Sequence, residues 1–204
     1  MTKNIVTLLL IVFTWLSLAV QLYLTTGSVI NFFSYFTILS NLLVALSLSF
    51  SFFFPASSPG LFFSKLSVQS AIALYIFIVG LVYNLVLRGI VELSGWQLAV
   101  DTALHVIIPV SYILYWISYR SEGSLKWNDG LHWIYFPMAY LIYSLIRGSL
   151  KDWYPYPFLN AANLGYQKVF VNVVMMIGTF FISGLILIAI TRSLKKNRQV
   201  TSSI

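Results

Sequence analysis

The sequence predicts an all-α membrane protein, a single bundle of six transmembrane helices spanning residues 1–204 with both termini cytoplasmic. Three observations predict it. The 204 residues are 59 % hydrophobic and 8 % charged, with a mean hydropathy of +0.88, whereas a soluble domain carries about 25 % charge. Six apolar runs each approach the roughly 20 residues that cross a bilayer. The basic residues divide unevenly between the two sides that those runs define.

The first run, about 4–24, exceeds the usual length of a signal-peptide core and ends in no small-x-small cleavage site, so it reads as a helix. "TTGS" separates it from the second, about 31–54, and "PASSPG" closes that one with helix stoppers. The third, about 66–88, ends at "GIVELSGW", and the fourth, about 98–119, at "RSEGSLKWNDG". The fifth, about 131–149, leads into "KDWYPYPFLNAANLGYQ", and the sixth, about 168–191, into the basic tail "RSLKKNR". Six spans put both termini on one side. That side holds Lys3, Lys65, Arg120, Lys126, Arg192, Lys195, Lys196 and Arg198, and the other holds Arg88, Arg147, Lys151 and Lys168. The positive-inside rule makes the first side cytoplasmic. Trp96, Trp153, Tyr154 and Tyr156 then belong to the outer interface, Trp127 and Trp133 to the inner one. The tail reads most simply as a topology anchor.

These features bound the function. The expected location is the cell membrane and the expected neighbours are membrane lipids. The net charge of +7 is no nucleic-acid footprint, because the basic residues sit in loops and the tail. The absence of cysteine excludes disulfides, thiolate metal sites and cysteine nucleophiles. A metal site is poorly supplied: of two histidines, His132 begins the fifth span on the cytoplasmic side, which leaves His105 and Asp101. Catalytic zinc takes three protein ligands.

The polar residues inside the spans collect at one level. Thr37 lies six residues into the second span and His105 seven into the fourth, and both spans run from outside to inside. At 1.5 Å per residue both are about 9–10 Å below the outer edge of the hydrocarbon. Asp101 is one turn outward of His105 on the same face, and Asn41 one turn deeper than Thr37. Ser34, Asn84, Arg88, Arg147 and Asn172 complete this outer layer. Taken singly, each has a bland reading. Membrane hydroxyls usually bond the carbonyl one turn back or pack at helix contacts. Arginines near helix ends snorkel to headgroups, and asparagines bridge helices. As a set they are harder to dismiss, because ionisable groups inside spans are costly and mark functional interiors.

The set fits nucleophilic chemistry. A hydroxyl needs an adjacent base, and the base an orienter. Thr37, His105 and Asp101 fill those roles. An oxyanion needs fixed donors, which Asn41, Asn84 or an arginine supplies, and a guanidinium suits the carboxylate of a fatty acid or a headgroup. Arg88, Arg147, Tyr156 and Asn172 are the candidate substrate contacts. "YPYPFLN" is an extended segment, because each tyrosine precedes a proline. It either connects two spans or covers the outer pocket as a lid.

Three segments carry a family resemblance. "YFTILSNLL", "DTALHVIIPV" and "WYPYPFLN" resemble the second-helix, fourth-helix and inter-helix segments of the androgen-induced family of six-helix membrane proteins. The animal members of that family are threonine hydrolases of fatty acid esters of hydroxy fatty acids, and the chain looks like a bacterial branch. The resemblance implies Thr37 as nucleophile, His105 as its general base, a lipid ester as substrate and no cofactor. It does not carry Arg88, Asp101 or Asn84, which rest on the shared layer alone. The asparagine after Thr37 stands one residue further on than in the animal members. The runner-up is a small lipid or solute transporter, or a lipid-binding membrane protein, in which Asp101 and His105 relay protons and the arginines hold an anion. No pair of glycine- or proline-broken half-helices in corresponding halves favours it.

Overall fold

A computed structural model describes the backbone of residues 2–201 and the side chains of residues 2–193. The chain is about 80 % helical, with no strand among the described residues. Five helices are long and apolar enough to cross a membrane: α1 (Thr2–Leu24), α2 (Phe36–Phe53), α3 (Leu66–Leu87), α4 (Gly95–Tyr119) and, after the shorter α5 (Tyr135–Lys151), α6 with its apolar part Tyr166–Ser193. The fifth expected span, about 131–149, is a helix, but α5 has 17 residues, a length of about 25 Å against a hydrocarbon core of about 30 Å. Lys195, Lys196 and Arg198 lie outside the described side chains. Two compact units result, Met1–Glu122 and Gly123–Ile204.

In the first unit α1 packs on α2 and α4, α2 on α3, and α3 on α4, so the four helices close into a ring in chain order. In hydrocarbon, close packing and interhelical hydrogen bonds do what the hydrophobic effect does in water. Accordingly, small residues lie at the contacts: Ala45, Ala73, Ser40 and Ser70 are buried beside Val44, Ile76 and Ile108. Trp116 is buried and donates its indole N–H to Ser70 Oγ at 3.1 Å.

Two departures from regular helix shape this unit around Thr37 and His105. The second span is broken before Thr37. A short helix, Val29–Phe32, is capped by Ser28, whose Oγ accepts from Ile30 N. Ser34 Oγ donates back to Ile30 O at 2.5 Å, and Tyr35 is extended before α2 begins. Ser34 N and Tyr35 N donate three residues back, to Asn31 O at 3.0 Å and Phe32 O at 3.3 Å, so the α-helical ladder is lost there. Thr37 is thus in the first turn of α2 rather than six residues into a continuous span.

The second departure is a pair of π turns, Tyr83–Leu87 in α3 and Ala103–Ile107 in α4. The second has a visible cause. Pro109 has no N–H, and its ring would meet the carbonyl one turn back, that of His105. Widening the turn relieves this: Ile108 N–H donates to Ala103 O, five residues back. Gly80 of α3 lets the distorted segment approach. A Cβ there would stand 3.2 Å from Pro109 Cβ and 3.3 Å from His105 O.

In the second unit Asp152 takes a left-handed conformation, φ 50°, and ends α5. Tyr156 is extended, Pro157 opens a 3-10 turn to Leu159, and Asn160 Oδ1 caps the turn Ala161–Leu164 by accepting from Asn163 N at 3.1 Å. Gly165, at φ +76°, then admits the sharp entry into α6. The Tyr154 ring lies flat on Gly148, where any side chain would strike it.

Candidate functional site

Thr37 and His105 meet. Thr37 Oγ1 is 3.2 Å from His105 Nε2, across the gap between α2 and α4. Several other hydroxyls in the spans back-bond: Thr7 donates to Lys3 O, Ser17 to Phe13 O, Thr102 to Leu98 O and Thr179 to Met175 O. Thr37 is only 6 % exposed, and its hydroxyl reaches a side chain of another helix, as those of Thr7 and Ser70 also do.

The imidazole is held from its other side. His105 Nδ1 is 2.9 Å from Asp101 O and 3.1 Å from Asp101 Oδ1. Both partners are acceptors, which assigns the ring proton to Nδ1 and leaves Nε2 bare to receive the Thr37 proton. Asp101 Oδ2 in turn accepts from Tyr83 OH at 2.5 Å. The Tyr83 ring stacks on the His105 ring, with centroids 4.2 Å apart and planes 14° from parallel. The hydroxyl, imidazole and carboxylate are therefore connected in the order that nucleophile activation requires. The helix break adds an electrostatic element: Thr37 sits in the first turn of α2, where the helix dipole favours negative charge.

Asn41 is fully buried and ties the two helices together. Its Nδ2 donates to Thr37 O at 2.9 Å and to Leu104 O at 3.2 Å. The second bond follows from the proline. Ile108 N–H has moved to Ala103 O, and the next backbone nitrogen belongs to Pro109, so the helix leaves Leu104 O without its usual donors. Asn41 supplies one. Both amide protons are thereby committed, and Asn41 positions the nucleophile's helix instead of facing an oxyanion.

The remaining candidates divide by unit. Asn84 and Arg88 pair with each other, Arg88 Nη1 donating to Asn84 Oδ1 at 3.1 Å, while Asn84 Nδ2 donates to Gly80 O at 2.8 Å. Both are exposed, next to the π turn of α3. Ser34 is buried. Arg147, Tyr156 and Asn172 belong to the second unit. Arg147 lies 4.3 Å over the Trp153 ring, Tyr156 stacks on Phe158 at 5.2 Å, and Asn172 Nδ2 donates to Phe158 O at 2.9 Å. The aromatic loop is thus fastened to α6 through its own carbonyl.

Sequence reasoning missed Tyr83. The signal was present: a tyrosine inside a span needs a partner for its hydroxyl, and Asp101 is the one carboxylate within the apolar runs. Comparison with protein-family models, with curated proteins and with solved structures finds no match for this chain.

Proposed function

We propose that the chain is a membrane-embedded hydrolase of lipid esters, of the kind formed between a fatty acid and a hydroxy fatty acid, with Thr37 as nucleophile and His105 as general base. The observation that carries the reading is the 3.2 Å approach of Thr37 Oγ1 to His105 Nε2, with Nδ1 anchored on Asp101. The resemblance of the three sequence segments supports it independently.

The steps follow from the geometry. Thr37 Oγ1 attacks the ester carbonyl as its proton passes to His105 Nε2. Asp101 stabilises the imidazolium through Nδ1–H. The ester C–O bond breaks, and the leaving alkoxide takes the proton from Nε2, which releases the hydroxy-bearing fragment and leaves a threonyl ester. Water attacks that ester while giving a proton to Nε2. The fatty acid departs and Thr37 regains its proton. No cofactor enters. Arg88, held by Asn84, is assigned to the charged end of the substrate. The proposed topology counts α5 as the fifth of six spans, with both termini in the cytoplasm and the Thr37–His105 layer towards the outer leaflet of the cell membrane.

A fluorophosphonate probe on the purified protein in detergent tests the chemistry. An adduct on Thr37, found by mass spectrometry and lost in His105→Ala, is the expected result. A folded protein that forms no adduct at Thr37 would overturn the reading and favour lipid binding or transport.

A further inference from the structure

We infer that Tyr83 is a positioning residue of the Thr37–His105 pair, fixing the Asp101 carboxylate through its hydroxyl and the plane of the imidazole through its ring. The inference rests on the proposed role of Thr37 and His105. Three observations carry it. The Tyr83 hydroxyl donates to Asp101 Oδ2 at 2.5 Å, while Asp101 Oδ1 lies 3.1 Å from His105 Nδ1. Each carboxylate oxygen thus has its own partner, and the group cannot turn without losing one of them. The Tyr83 ring lies 4.2 Å from the His105 ring and nearly parallel to it. A 180° flip of an imidazole passes through an orientation perpendicular to its resting plane, and a ring stacked at that distance blocks the passage. Finally, Tyr83 begins the π turn of α3, and α3 packs against the π turn of α4 that bears His105. Such turns re-aim side chains and are common at functional sites.

The physical consequence is a fixed tautomer. An imidazole free to flip or to exchange its proton between nitrogens would present a protonated Nε2, or a carbon, to Thr37 for part of the time. Tyr83 removes those states. It makes no bond to the substrate in this scheme and acts on Thr37 through Asp101 and His105.

The test compares full-length wild type with Tyr83→Phe and Tyr83→Leu in detergent, with two readouts. One is the rate of fluorophosphonate labelling at Thr37. The other is nitrogen NMR of protein labelled at histidine, in which His105 and His132 are the two signals and His132 is the internal reference. Tyr83→Phe keeps the stack and loses the hydroxyl. It should label roughly tenfold more slowly, as expected for loss of a hydrogen bond to a charged group. Its His105 nitrogens should average between tautomers while His132 is unmoved. Tyr83→Leu should lose more. In an Asp101→Asn background, Tyr83→Phe should add little, because the hydroxyl acts through that carboxylate. Tyr83→Phe with a wild-type labelling rate and a single His105 tautomer would overturn the inference. If wild type itself forms no Thr37 adduct, the hydrolase reading fails, and the NMR comparison still decides whether Tyr83 fixes the imidazole.

Discussion

At the scale of single residues, Asn41 and Asp101 make separable predictions. Asn41 is fully buried and donates to two backbone carbonyls on different helices. Asn41→Leu keeps the volume and removes both bonds, leaving the Leu104 carbonyl unpaired beside Pro109. A buried group left unpaired costs about 1–3 kcal/mol, so the midpoint of thermal unfolding in detergent should fall, with Thr37 labelling falling as its helix loosens. Asp101→Asn should behave differently. The carboxamide retains an acceptor for His105 Nδ1–H but carries no charge to stabilise the imidazolium. Labelling at Thr37 should drop about 100-fold or more, with less effect on unfolding than Asn41→Leu. Equal losses of stability in the two variants would contradict this separation. Thr37, His105 and Asp101 were legible in the sequence as one polar layer, although the depth count that grouped Thr37 with the others assumed an unbroken second span. Tyr83 was not legible as a partner. Aromatic residues abound in this chain, and only the rotation of α3 about its axis brings its hydroxyl to Asp101.

The helices themselves carry the next level of control. Pro109 is visible in "DTALHVIIPV", but a proline in a membrane helix kinks it, widens a turn or passes with little effect, depending on its neighbours. Here the widened turn sets where His105 points, and Asn41 and Gly80 accommodate it. Pro109→Ala restores a backbone N–H that can donate one turn back, which favours a regular helix. The substitution should leave thermal stability unchanged or raised, yet slow Thr37 labelling at least about tenfold by turning His105 away. Unchanged labelling would mean that the proline does not position the base. The break ahead of Thr37 was not legible at all. "VINFFSYFTIL" contains no glycine or proline, and its polar residues Asn31, Ser34 and Thr37 are of types that the other spans carry within continuous helix. What divides it is the backbone ladder itself: Ser34 N and Tyr35 N donate three residues back, to Asn31 O and Phe32 O, and the α-helical register restarts only after Tyr35.

For the whole molecule the open structural variable is the fifth helix. Hydropathy in the sequence makes it a span, and the folded segment is a 17-residue helix preceded by the short turn Asp129–His132. Tyrosines along the segment, with Arg147 and Lys151 near its end, lower its apolarity relative to the other five. An aromatic-rich helix of this length suits a membrane if its ends are held at the interfaces, and Arg147 packed on Trp153 is the kind of pair that would hold one. The two topologies place the C-terminus on opposite sides. With six spans it shares the side of the N-terminus, and the aromatic loop at Tyr156 shares the side of Glu92. With five, the loop shares the side of Glu122, and the C-terminus crosses to the far side. The chain contains no cysteine, so single cysteines introduced at Thr26, Glu92, Glu122, Asp152 and Ser203 report without background. A membrane-impermeant maleimide on intact cells should modify the Thr26, Glu92 and Asp152 positions and spare Glu122 and Ser203. Modification at Ser203 with protection at Asp152 would reduce the protein to five spans, with α5 lying outside the hydrocarbon.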